Sequence, residues 1–244
     1  MMPEPVLPSH TSSGPAPSAP APLDTMPDEM PVPMPTHLSG RVYQGLAFAL
    51  SAVLSPYLVI PVGTVGIVAS QEIARHTLLF WTLLSVFFST GIPALYVVWQ
   101  MILGNIGDVH VMEREQRGGP FLVAIFSSAL GAWALKQCGA PSPVWSLGVV
   151  LSVNGVVMLW ITSFWKISIH VAVLSATVLA SLILIPGIPK RQLLLLIPAL
   201  IWARVTRGKH SIWQGIGGCG VACVVTLSVL YGLHSLYDLN FWWT

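Results

Sequence analysis

From Tyr43 onward the chain is a succession of apolar runs separated by short polar breaks. The runs cover about 43–69, 76–103, 120–136, 142–164, 168–187, 190–205 and 211–234. A helix that crosses the hydrocarbon core of a bilayer needs about 20 apolar residues. The pattern therefore predicts an all-α fold, a polytopic transmembrane helix bundle of about seven spans (six to seven), the third and sixth of them short. Pro56, Pro61, Pro93 and Pro198 fall inside the runs, which membrane helices accept where neighbouring groups satisfy the released carbonyls. The 10 tryptophans all fall at or near predicted helix ends, where indole prefers the membrane–water boundary. There is no internal repeat.

Residues 1–40 form a different regime, rich in Pro, Ser and Ala, as in Pro15-Ala-Pro17-Ser-Ala-Pro20. Such a segment buries too little apolar surface to fold, so the expectation is a solvated, disordered tail ahead of one membrane domain over 41–244. It has neither a basic start nor an apolar run, so it does not read as a signal peptide.

Composition narrows the function. Only 8% of the 244 residues are charged and 54% are hydrophobic, against about a quarter charged in soluble domains. A net charge of +2 is too small to draw in a polyanion, so nucleic acid is excluded as a partner. Cys138, Cys219 and Cys223 lack zinc spacing and read as small packing residues. No Asp or Glu occurs between Gln116 and Tyr237. Chemistry in that half must run on His, Arg, Lys, Ser and amides, which disfavours a carboxylate-held metal pair. Basic flanking residues number seven on one face and four on the other, but three of the seven are site candidates, so they do not set the orientation.

Three breaks hold unusual polar residues. They run from Asp108 through His110 to Arg117, from Lys166 through Ser168 to His170, and from Arg204 through His210 to Gln214. Each follows an even number of expected crossings, so all three should emerge on one face of the membrane. The second and third also stand at expected helix starts, where unpaired N–H groups and the helix dipole favour a phosphate. Arg117 and Arg204 offer forked donors to its oxygens, and Lys166 a point charge. Two histidines on opposite sides of a phosphoryl group would supply nucleophile and proton donor. By themselves, His170 also reads as a helix-end histidine satisfied by a neighbour, and Arg204 as a side chain reaching to the membrane surface.

The three breaks together resemble the motifs of the type 2 phosphatidic acid phosphatase superfamily, which shares its helical core with vanadium-dependent haloperoxidases. The first family motif is Lys, six residues, then Arg-Pro; His110 and Arg117 have that spacing. The second is Pro-Ser-Gly-His, matched by Ser168-Ile-His170. The third is Ser-Arg, five residues, His, three residues, Asp; Arg204, His210 and Gln214 have that spacing. The resemblance covers about residues 100–230. It implies that His210 attacks phosphorus to form a phosphohistidine, and that His170 protonates the leaving oxygen and then activates water. It also implies that Arg117, Arg204 and the backbone around Ser168 hold the phosphate oxygens, with Gln214 orienting the nucleophile. No metal or organic cofactor is implied.

The chain departs from the motifs at several positions. His110 replaces the lysine, with Lys166 a possible substitute. Gly118 replaces the first motif's proline, Ile169 the second's glycine, Ala203 the third's serine and Gln214 its acid. An amide still accepts the His210 N–H but stabilises an imidazolium less than a carboxylate does. In serine proteases the acid-to-amide change costs about 10⁴ in rate, chiefly through the wrong tautomer. Lys-Ile-Ser-x-His and His-x-x-x-Gln resemble forms in prokaryotic branches of the superfamily, which implies a multi-pass protein of a prokaryotic plasma membrane. The expected activity is metal-independent hydrolysis of a lipid phosphate, a phosphatidic acid or an isoprenyl diphosphate. The alternative is a catalytically silent relative that binds anionic headgroups or serves as a structural subunit.

Overall fold

The computed structural model describes residues 38–71, 74–105, 118–186 and 191–237. The expected tail, apart from its last residues, and the site candidates His110 and Arg117 lie outside them. The described residues form helices joined by short turns, with no strand among them. In chain order the α-helices are α1 Leu38–Val53, α2 Pro56–Ala69, α3 Arg75–Val86, α4 Ile92–Ile102, α5 Gly118–Gln137, α6 Ser142–Thr162, α7 Ile169–Leu184, α8 Leu196–Thr206 and α9 Ile212–Tyr237. A π-helical turn, Phe87–Gly91, joins α3 to α4, and a 3₁₀ turn, Arg191–Leu195, leads into α8.

Four helical segments are long and apolar enough to cross a membrane: Arg75–Ile102, Gly118–Gln137, Ser142–Thr162 and Ile212–Tyr237. A fifth is added if α1 and α2, bent by 51°, count as one broken span. The first apolar run is thus two helices. Ser55 precedes Pro56 and is held extended (φ −72°, ψ 153°), as the residue before a proline tends to be. In the second run Pro93 has no N–H to give Ser89, and the helix widens there: the Ile92 N–H reaches back to the Phe87 carbonyl. The fifth and sixth runs yield shorter helices. α7 has 16 residues, about 24 Å at 1.5 Å each, and α8 has 11 residues.

α7 is the hub. It packs against α2, α6, α8 and α9, and 12 of its residues are buried, so it has no face left for lipid. Ala172, Ser175, Ala176, Ala180 and Ser181 are small enough to let those neighbours approach. The distribution of polarity is that of a membrane bundle: Ser51, Ser146, Asn154, Ser175 and Thr226 lie inside, while Leu83, Leu95, Phe126, Leu130 and Val224 face out. Trp99, Trp133, Trp160 and Trp213 are exposed, whereas Trp81 and Trp145 pack in the core.

α5 and α6 form a close hairpin. The turn follows from Gly139, whose positive φ of 75° ends α5 with paired bonds, Ala140 N–H to the Leu135 carbonyl and Gly139 N–H to the Lys136 carbonyl. Along the hairpin Gly148 faces the Ser128 carbonyl, and a Cβ there would lie 3.0 Å from that oxygen and 3.0 Å from the Ala132 Cβ. Because a backbone atom is in the way, Gly148→Leu is expected to lower stability by about 1–3 kcal/mol. The thermal unfolding midpoint of the full chain in lipid nanodiscs checks this.

Candidate functional site

Two local devices bring the third polar break back on itself. α8 ends in a glycine cap: Gly208 has φ 65°, its N–H bonds the Val205 carbonyl, and the Lys209 N–H bonds the Arg204 carbonyl at 3.0 Å. Three residues later Ser211 and Gln214 form a reciprocal cap at the start of α9. The Gln214 N–H donates to Ser211 Oγ at 3.3 Å and the Ser211 N–H donates to Gln214 Oε1 at 3.0 Å. The stop and the start are so close that Arg204, the last-turn residue of α8, and His210, just before α9, line the same cavity.

The Gln214 contacts settle the tautomer of His210. A backbone N–H can only donate, so the side-chain atom it meets is the amide oxygen, which can only accept. His210 Nδ1 lies 3.1 Å from that same oxygen. It must therefore carry a hydrogen, and in the neutral ring the lone pair is then on Nε2, the nitrogen remote from Gln214.

The second polar break is tied to the third through the backbone. The Ser168 N–H donates to the Gln214 carbonyl at 3.2 Å, so α7 starts against the first turn of α9. Ser168 is the N-cap of α7 with φ −82° and ψ 100°, and its side chain makes no cap bond. Its hydroxyl is buried with no hydrogen-bond partner among the described residues. Two residues on, His170 is buried and lines the cavity.

The cavity provides about 190 Å³ for water-sized molecules. Arg204 supplies its charge and His170 and His210 its imidazoles, and Tyr57, Ser89, Thr90, Ser128 and Asn154 add polar atoms elsewhere on the wall. Pro120 and Phe121, immediately after the first polar break, also border it. Three of the sequence candidates thus line one cavity. Gln214 stands behind His210 without lining the cavity, Ser168 lies at the foot of α7, and Lys166 is half-buried in the connector before it. Among the described residues no group of three His, Cys, Asp or Glu gathers as metal ligands would.

Arg204 is almost wholly buried, at 3% exposure. Its Nη1 donates to Ser51 Oγ at 3.1 Å, from the last turn of α1. Gln44 Nε2 donates to the Thr206 carbonyl at 2.9 Å, and the Arg207 guanidinium stands 5.0 Å over the Phe48 ring. α1 therefore clamps the end of α8 and fixes the arginine. Sequence reasoning missed Ser51, for a reason: it is 153 positions from its partner and sits in an unremarkable Leu-Ser-Ala-Val run. Asn154, which donates to Thr226 Oγ1 at 3.2 Å, was missed too, although a lone Asn in an apolar helix is a signal of a buried polar contact.

The chain matches no family model, no curated protein and no solved structure.

Gly218 decides how closely α9 meets the start of α7: a Cβ there would lie 2.8 Å from the Ser168 carbonyl oxygen. Gly218→Ala is expected to push the two apart and cost about 1–3 kcal/mol. Gly220→Ala, where a Cβ meets nothing within 4 Å, should be neutral or slightly stabilising through helix propensity. Paired thermal unfolding of the two variants checks the contrast.

Proposed function

We propose that the protein is an integral-membrane phosphatase that hydrolyses a phosphomonoester or diphosphate of a lipid, by the metal-independent histidine chemistry of the type 2 phosphatidic acid phosphatases. One observation carries the reading: His170 from the second polar break and Arg204 and His210 from the third line one cavity. In this reading the bent pair α1–α2, α7 and α8 with its 3₁₀ turn complete seven crossings of a prokaryotic plasma membrane, and His110 and Arg117 join the site from the first break.

The geometry suits the chemistry as follows. The Nε2 lone pair of His210 attacks phosphorus while Nδ1–H stays bonded to Gln214 Oε1. An N–P bond forms and the P–O bond to the lipid breaks. His170 gives a proton to the departing oxygen, then takes one from water, whose oxygen displaces His210 and releases phosphate. Arg204, pinned by Ser51, neutralises the phosphoryl oxygens through both steps.

The amide at 214 favours a second reading, a headgroup-binding protein without turnover, because the Gln214 oxygen beside His210 stabilises an imidazolium less than a carboxylate would. Phosphate release from phosphatidic acid or isoprenyl diphosphate by the purified chain separates the two. Wild type should turn over and be inhibited by orthovanadate, and His210→Ala should lose at least about 10²-fold in rate. Headgroup binding with identical, background release from both proteins would favour the silent reading.

Glutamate fills the same cap position as glutamine and adds the missing charge beside His210. Gln214→Glu should therefore keep its unfolding temperature and raise kcat by more than about tenfold, a fraction of the 10⁴ that separates acid from amide in serine proteases. An unchanged or lower kcat in the folded variant would show that charge at 214 does not limit the reaction.

A further inference from the structure

The cavity is far deeper than a phosphate requires. From His170 its wall continues along α7 through Ala172 to Ala176, six residues or about 9 Å of helix. On α6 it runs from Leu151 past Asn154 to Met158, seven residues or about 10 Å. Ile60 and Ala124 close the apolar sides. The limb is open because its wall is built from small side chains: Ala172 and Ala176 are buried at 2% and 1% exposure in the middle of the hub helix. An apolar void of about 150 Å³ is enough to bind benzene and stay dry. The 190 Å³ here is therefore of the size that takes an anionic head and the first carbons of one chain.

We propose that this limb is a binding site for the hydrocarbon chain of a single-chain amphiphile whose anionic head lies at Arg204, and that Ala176 sets the depth to which the chain enters. The occupant follows from continuity: one cavity has Arg204 and the imidazole of His210 at one end and an apolar end at Ala176, and the helices around it present Leu95, Leu122 and Phe126 outward, the surface from which a lipid would arrive. The inference rests on the anion-binding half of the reading above and does not need turnover.

The test uses the full chain in zwitterionic nanodiscs and the dissociation constants of inorganic, methyl, butyl and hexyl phosphate, measured by calorimetry. Each methylene that enters the limb should tighten binding about fourfold, so hexyl phosphate should bind at least about tenfold more tightly than methyl phosphate in the wild type. Ala176→Phe should flatten the series to within about threefold. Leu151→Trp, at a half-buried position on the same limb, serves where the first variant fails to fold. Partition of the alkyl chains into the bilayer is common to all the proteins and cancels in the comparison. A flat series in the wild type, absence of binding by any of the four, or an unchanged series in a folded variant overturns the proposal. Hexyl phosphate bound tightly but left intact supports the chain site and defeats the phosphatase reading. Methyl and hexyl phosphate hydrolysed with equal kcat/KM preserve the phosphatase reading and defeat the chain site.

Discussion

The arrangement of the site depends on one backbone hydrogen bond, from the Ser168 N–H to the Gln214 carbonyl. It sets the start of α7 against the first turn of α9, and the absence of a Cβ at Gly218 makes the distance attainable. Two helix starts are then adjacent, each with N–H groups that no intrahelical carbonyl can satisfy. In a medium that supplies little water such groups are costly unless paired. The bond to Gln214 pairs one of them, and the Ser211–Gln214 cap pairs others. The pairing of these groups thus brings His170 and His210 to one cavity.

Gln214 joins three roles in one residue. Its backbone carbonyl receives Ser168, its side-chain oxygen caps α9, and that same oxygen orients His210. An acid would serve the cap equally well, so the cap does not explain the amide. The electrostatic consequence is specific to this chain: with no Asp or Glu between Gln116 and Tyr237, the cationic groups of that half must be balanced by something from outside it. A bound phosphate would do so.

The hub helix shows how a short, apolar segment is used when it does not face lipid. α7 carries small residues on every side, and its neighbours close around it on all but the stretch that borders the cavity. α6, on the far wall, contributes Asn154, whose bond to Thr226 ties it to α9. The cavity is therefore framed by helices fixed to one another through α7 and α9, while α1 reaches across to hold Arg204.

Much of the helix pattern was legible in the sequence, because membrane helices are written as local runs of apolar residues and end at Gly, Ser and Pro signals. Gly139 and Gly208 mark C-termini, and Ser211 with Gln214 marks an N-terminus, all through bonds between near neighbours. The spacing of Arg204, His210 and Gln214 was readable for the same reason: a stop, a turn and a start occupy eleven consecutive positions. Other features depend on distant parts of the chain. Length and composition alone do not show that the first run bends by 51°, that α7 is shielded from lipid, or that Trp81 and Trp145 belong to the core. The partner of Arg204 and the depth of the cavity arise where α1, α6, α7 and α8 meet. Local periodicity determines where a helix forms and which groups its ends must satisfy, and only packing decides which helix satisfies them and where the space between helices is left empty.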